Sequence, residues 1–140
     1  MTSFPLKIVT PDGLIFDGSA EQIIVRTTSG DVAILARHIN YVAPLGMGRA
    51  VIIAGGVRRT AACIGGMLSV VDGAVTLVPT TFEWSDKIDV ERANAAYEKA
   101  DSVLKNPSSS QNDLKLAEAK LRRALVRKSV ASTKSSHCSF

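Results

Sequence analysis

The spacing of apolar residues changes once along the chain, near Ser85. Before it, apolar positions come in short runs. Leu6 with Ile8, and Ile23 with Val25, alternate with their neighbours as in half-buried strands, while Val51-Ile52-Ile53 and the run Leu68 to Val71 read as buried strands. Gly55-Gly56 and Asp72-Gly73 each separate two such runs, and these dipeptides supply the positive φ that two-residue hairpins require. Short strands at a spacing of roughly ten residues predict an all-β, antiparallel sandwich or barrel and exclude a βαβ sheet.

After Ser85 the period becomes helical. Val90, Ala93, Tyr97, Ala100 and Leu104 fall three and four apart, with Asp89 placed to cap the first turn. Pro107 ends this helix. Ser110, with Asp113 three residues later, predicts the start of a second one, whose stripe is Leu114, Ala117, Leu121 and Ala124 or Leu125. Two helices joined by a short polar loop predict an antiparallel hairpin. The expected organisation is a β-sandwich domain over 1–85 and a two-helix domain over 86–140. The stripes are rich in alanine, which buries about half or less of the 1.5–3 kcal/mol of a buried leucine or valine. Such a hairpin is expected to be able to leave its dock.

Charge sharpens the contrast. Residues 1–85 carry six basic and six acidic side chains, whereas residues 86–140 carry eleven and seven, so the net +4 of the 140-residue chain belongs to its second part. After Glu118 come Lys120, Arg122, Arg123, Arg127, Lys128 and Lys134 with no acid among them. That block calls for an anionic partner. Arg123 and Arg127, one turn apart, lie on one helix face and can converge on one polyphosphate.

The apolar runs fall short of the roughly 18 residues of a membrane span, and the opening Met1 to Lys7 lacks the pattern of an export signal. Cys63 and Cys138 lack the short paired spacing of zinc sites and are read as free thiols; no metal site is expected. Gly46-Met47-Gly48, Gly55-Gly56 and Gly65-Gly66 open no helix and lack a phosphate-loop lysine, so they read as turns and bulges. Met47 and Met67 are read as core residues, with exposed anchors on a partner-facing side as the alternative. His137 beside Cys138 has no scaffold to make a nucleophile pair. The inventory contains no nucleophile with its base and no metal cluster, which excludes an enzyme. With 5% aromatic residues the basic half also lacks the stacking platform of a nucleic-acid binder.

Several strings, taken together and in order, resemble the epsilon subunit of bacterial and chloroplast F-type ATP synthases over essentially the whole chain. They are Val9-Thr10-Pro11-Asp12-Gly13 with Phe16 and Gly18, then Gly30-Asp31-Val32-Ala33-Ile34-Leu35 with His38 and Pro44-Leu45. Ile64 to Val70 and Val75-Thr76-Leu77 follow. Where the family usually has Pro-Gly before the histidine, this chain has Ala36-Arg37.

The resemblance implies a sandwich of about ten strands that binds the gamma subunit and the ring of c subunits. It also implies a hairpin that either folds down or extends to the alpha/beta catalytic head and blocks ATP hydrolysis. It further implies a non-catalytic subunit that needs no obligatory cofactor and is held on the cytoplasmic face of the bacterial inner membrane without inserting into it.

Ile88-Asp89-Val90-Glu91-Arg92-Ala93 resembles the ATP-binding signature of the family, and Arg123 and Arg127 its paired arginines. ATP is thus implied as a regulatory ligand. Arg92, Arg123 and Arg127 would face the phosphates, Ile88 and Asp89 the base and sugar, and Glu83 is a weaker candidate; Lys99 stands where some relatives have arginine. The plainer reading makes Asp89 a helix cap, pairs Arg92 locally, and leaves Arg123 and Arg127 on a solvated face. Asp31 and His38 match positions that in the family lie on loops near the c ring, while the plainer reading of His38 is a partly buried loop histidine satisfied by backbone. Lys120, Arg122, Arg123, Arg127 and Lys128 are the expected inhibitory contact with acidic surface on the head.

Overall fold

Period-two patterning becomes ten strands: β1 Phe4–Thr10, β2 Gly13–Ala20, β3 Gln22–Thr27, β4 Gly30–Leu35, β5 Tyr41–Pro44, β6 Met47–Ala54, β7 Val57–Ile64, β8 Met67–Val71, β9 Ala74–Val78 and β10 Thr81–Trp84. A 3₁₀ turn at Ser85–Lys87 leads into α1 (Val90–Lys105) and α2 (Gln111–Ala131), and a two-residue strand, β11, lies at Ser136–His137. The computed structural model describes residues 2–131 and the backbone of β11. Lys134, Cys138 and the side chain of His137 lie outside the described residues.

The strands form two layers, β2-β1-β9-β8-β5 and β10-β7-β6-β3-β4, with β11 beside β7. Every pairing is antiparallel except β1 with β9. Inward residues of both layers interdigitate: Leu6, Ile8, Ile23, Val25, Ile34, Ile52, Leu68, Val70 and Leu77 are almost fully shielded from water. The predicted hairpins are present. Gly55 and Gly56 have φ of 59° and 75°, and Asp72 and Gly73 have φ of 50° and 83°, so both central residues of each turn occupy the left-handed region.

Cys63 belongs to this core as a free, buried thiol, and burial pushes its pKa up to about 12. The core reading fails for Met67, which is 43% exposed because it points outward from β8. Met47 is half-buried beside α2.

The helix caps also follow the sequence. Asp89 Oδ1 accepts the Arg92 backbone N–H at 3.1 Å, and Ser110 Oγ accepts that of Asp113 at 3.1 Å. Between the helices the buried residues are Ala93, Ala100, Ala117 and Ala124; Ala124, not Leu125, takes the fourth position of the α2 stripe. Val90 is 47% exposed and drops out of the α1 stripe. Among the described residues α2 is the helix that packs most on the sandwich, against the outward face of β6 and β7. A small second cluster of Ala62, Ile88 and Val130, flanked by Val126 and Ala131, makes the dock.

Candidate functional site

Because the helix–helix contact is made by alanines, the longer side chains beside it border an open groove. Its volume is about 650 Å³. Lys99 on α1 and Lys120, Arg123 and Arg127 on α2 line it, with Asp113 as its one acid among the described residues and Ala96, Ala100, Val103, Leu116 and Ala117 as apolar wall. Asn106, Ser108 and Ser109 close the loop end. Three of the four cations, Lys99, Lys120 and Arg123, make no ion pair among the described residues. A cleft of this size with convergent, uncompensated cations and an apolar wall suits a polyanion that carries an apolar ring.

The predicted ligand residues divide. Arg123 and Arg127 both line the groove, as their spacing requires. Arg92 is exposed on α1, one turn before Ala96, and is not among the residues that line the groove. Asp89 is occupied as the cap of α1. Ile88 is 8% exposed and packed on Ala62 and Val130, so it belongs to the dock and not to the groove wall. Glu83, on β10, is bound to Arg127: Nη2 donates to Oε2 at 3.0 Å, and Nε lies 2.9 Å from Oε1, its N–H turned off the line of the oxygen. At the joint between sandwich and helices, the Ser85 hydroxyl is buried with no hydrogen-bond partner.

Of the five cations expected to reach a catalytic head, three are engaged in this conformation. Arg122 pairs with Glu118 at 3.1 Å, Arg127 with Glu83, and Lys128 Nζ lies 4.3 Å from the centre of the Tyr97 ring. Lys120 and Arg123 make no ion pair among the described residues. The sequence pattern missed the dock residues Val126 and Val130. Their four-residue spacing was visible, but it lies off the Leu114–Ala124 stripe and faces the sheet.

Asp31 lies on strand β4 and not in a loop. Its carboxylate holds Arg26, the residue across from it on β3, at 3.0 Å, and that bond together with its charge raises the Arg26 pKa. His38 follows the other end of β4, where Nδ1–H donates to the Ile39 carbonyl at 2.8 Å and the ring stands edge-on to Tyr41. The two residues therefore bracket the edge strand of one sheet.

A ten-strand sandwich that carries a two-helix hairpin with a cationic groove places the chain in the delta/epsilon class of ATP synthase subunits. The family model for the ATP synthase delta/epsilon chain β-sandwich domain matches residues 3–85, and the model for the long α-helix domain of the same chains matches residues 86–132. ATP synthase epsilon chains are also its relatives by sequence. That of Ruminococcus albus is 42% identical over 135 residues, 96% of this chain and all of the relative; that of Bacillus pumilus is 39% identical over 131 residues, 94% and 98% of the two chains.

The chain belongs to the ATP synthase epsilon chain family, whose members are non-catalytic stalk subunits. The fold is shared with a chain in the Euglena gracilis mitochondrial ATP synthase OSCP/F1/c-ring structure. There the TM-score is 0.81 at 23% identity, covering 92% of this chain and 81% of that one. No described helix is long and apolar enough to cross a membrane.

Proposed function

We propose that this chain is a central-stalk subunit of a proton- or sodium-translocating F-type ATP synthase. Its sandwich links the gamma-subunit shaft to the c ring, and its hairpin restrains ATP hydrolysis and takes ATP as a regulatory ligand. The observation that carries the regulatory part is the groove. Lys99, Lys120, Arg123 and Arg127 converge between helices that pack through alanine and whose apolar contact with the sandwich is one small cluster. A ligand that bridges both helices strengthens a weak assembly. At a hundred times its dissociation constant, ATP bound only to the folded-down state adds about 2.7 kcal/mol to it.

Two surfaces support the stalk part. On the outer face of the β2-β1-β9-β8-β5 sheet, Pro44 pairs with Met67 and Met67 with Val78; Val9, one residue past the Ile8–Leu77 pair, continues the row to Leu14. Leu14, Met67 and Val78 are 59%, 43% and 47% exposed. Such a row suits an apolar shaft surface. Along the edge of the other sheet, β4 between Asp31 and His38 offers polar groups and unpaired backbone to the loops of the c ring. We assign the complex to the cytoplasmic face of a bacterial inner membrane, the chain being held there by its partners.

The test is hydrolysis by the assembled complex, compared with one whose epsilon chain lacks residues 86–140, alongside ATP titration of the full chain. The expected results are faster hydrolysis on truncation, and slower hydrogen exchange in α2 with ATP that is lost in an Arg92→Ala, Arg123→Ala double variant. Unchanged hydrolysis removes the inhibitory reading. No protection at millimolar ATP removes the nucleotide reading.

A further inference from the structure

Four ion pairs occur among the described residues, and three of them stay within one element pair: Arg26–Asp31 across a β-hairpin, Lys105–Asp101 and Arg122–Glu118 along single helices. The fourth, Glu83–Arg127, joins the sandwich to α2. It also differs in environment. Its side chains are 28% and 20% exposed, against more than half for both partners of Arg26–Asp31 and of Arg122–Glu118. Glu83 stands across from Ala62 in the β10–β7 register, and Ala62 is the sandwich residue on which Ile88 and Val130 dock. The charge pair thus stands at the edge of the apolar contact, where water screens it least.

We propose that Glu83 and Arg127 form a latch that holds the hairpin on the sandwich when the groove is empty. This deepens the movable-hairpin reading above and gives the docked state a second fastening besides a bound ligand. The apolar part of the dock is small, one alanine of β7 against Ile88 and Val130 with Val126 and Ala131 at the margin, and β11 adds a short pairing with β7 beyond α2. Arg127 also lines the groove one turn beyond Arg123. A polyanion that enters along Lys120 and Arg123 therefore meets an arginine whose partner is a carboxylate, and its phosphate competes with Glu83 for that fork. Release of the hairpin separates Arg127 from Glu83, so the free helix carries one more uncompensated cation than the docked one.

The latch is tested on the full chain without nucleotide. Hydrogen exchange of the α2 amides is measured for the natural sequence, Glu83→Gln, Arg127→Gln, Arg127→Glu and the reversal Glu83→Arg with Arg127→Glu. Measurements run from low to high sodium chloride, and the amides of β1 and β9 report in the same spectra whether the sandwich stays folded. In the two glutamine variants the last two turns of α2 are expected to exchange roughly three- to ten-fold faster at low salt, while β1 and β9 are unchanged. Salt should accelerate the natural chain toward the glutamine variants and leave those variants where they are. The reversed pair should be more protected than Arg127→Glu alone, which a purely steric role for either side chain does not produce.

Equal protection in Glu83→Gln and the natural chain overturns the latch, as does equal salt response or a reversal that restores nothing. Because no nucleotide is present, these outcomes are independent of ATP binding. Addition of ATP afterwards separates the two readings: protection that ATP adds to Glu83→Gln supports the groove site whether or not the latch survives.

Discussion

The sandwich and the hairpin are built from different buried residues, and the difference sets how each can behave. Inside the sandwich the fully shielded side chains are chiefly leucine, isoleucine and valine, drawn from both sheets. In the two helices, four of the five buried residues are alanine. Each buried leucine or isoleucine contributes about 1.5–3 kcal/mol and an alanine about half of that or less. A cooperative unit and a loosely attached one thus share one chain, and the loose one carries the excess positive charge. A part that must move needs an interface that a single ligand or ion pair can tip.

The largest effect should come from the sandwich. Leu77→Ala removes a fully buried side chain and is expected to cost about 3–4 kcal/mol in denaturant unfolding. Cys63 reports on the same unit. In a Cys138→Ser background its labelling by a thiol reagent should require sandwich opening and speed up in Leu77→Ala. The thiol gives a pH test as well. Its folded pKa, about 12, lies above the ordinary 9.0, so the folded state keeps a proton that the unfolded state loses. That contribution is complete below about pH 9 and declines as pH rises toward 12. Labelling that is fast at pH 8 in the Cys138→Ser background would contradict the buried position.

Val130→Ala addresses the other side of the comparison. Val130 is 1% exposed and belongs to the dock, and its truncation should cost about 1–2 kcal/mol, expressed as local opening of α2. Exchange of the α2 amides should rise while Cys63 labelling stays as it was. If both rise together, the two regions unfold as one unit and the comparison fails.

How far this division could be read in advance depended on whether the determinants were local. Strand alternation, the Gly55-Gly56 and Asp72-Gly73 turns, the Asp89 and Ser110 caps and the alanine stripes are short-range features, and each was legible. Arg123 and Arg127 share a groove because one helical turn separates them. Glu83–Arg127 was not legible, since it joins residues 44 apart and depends on where α2 crosses β7. The same crossing places Ile88 in the dock and away from the groove wall. Met67 misled because an apolar residue in a strand has two faces to choose from, and its outward one is the row shared with Val78 and Pro44.

Asp89 tests the joint between the regions at a smaller scale. Asp89→Ala leaves the Arg92 N–H without its side-chain partner and should destabilise α1 by about 1 kcal/mol. Helical content should fall slightly and exchange in the first turn of α1 should rise. Asp89→Asn retains the cap and loses the charge, so it should recover most of the helix. An equal defect in both variants would show that the charge matters more than the cap.

The smallest effect lies back in the sandwich, and it has the opposite sign. Arg37 has φ of 66°, one of two non-glycine residues with positive φ among those described. The backbone here adopts a conformation that suits glycine, with an arginine in it. A side chain with a Cβ is penalised in that region by about 1–2 kcal/mol, while glycine loses more freedom on folding by about 0.5–1 kcal/mol. The difference predicts that Arg37→Gly stabilises the sandwich by about 0.5–1 kcal/mol, seen as a higher denaturation midpoint with an unchanged slope. Exchange in α2 should not change, because the loop is remote from the dock. Arg37→Ala retains the Cβ and should give no gain, so a gain from alanine equal to that from glycine would point to the arginine charge and not to the backbone.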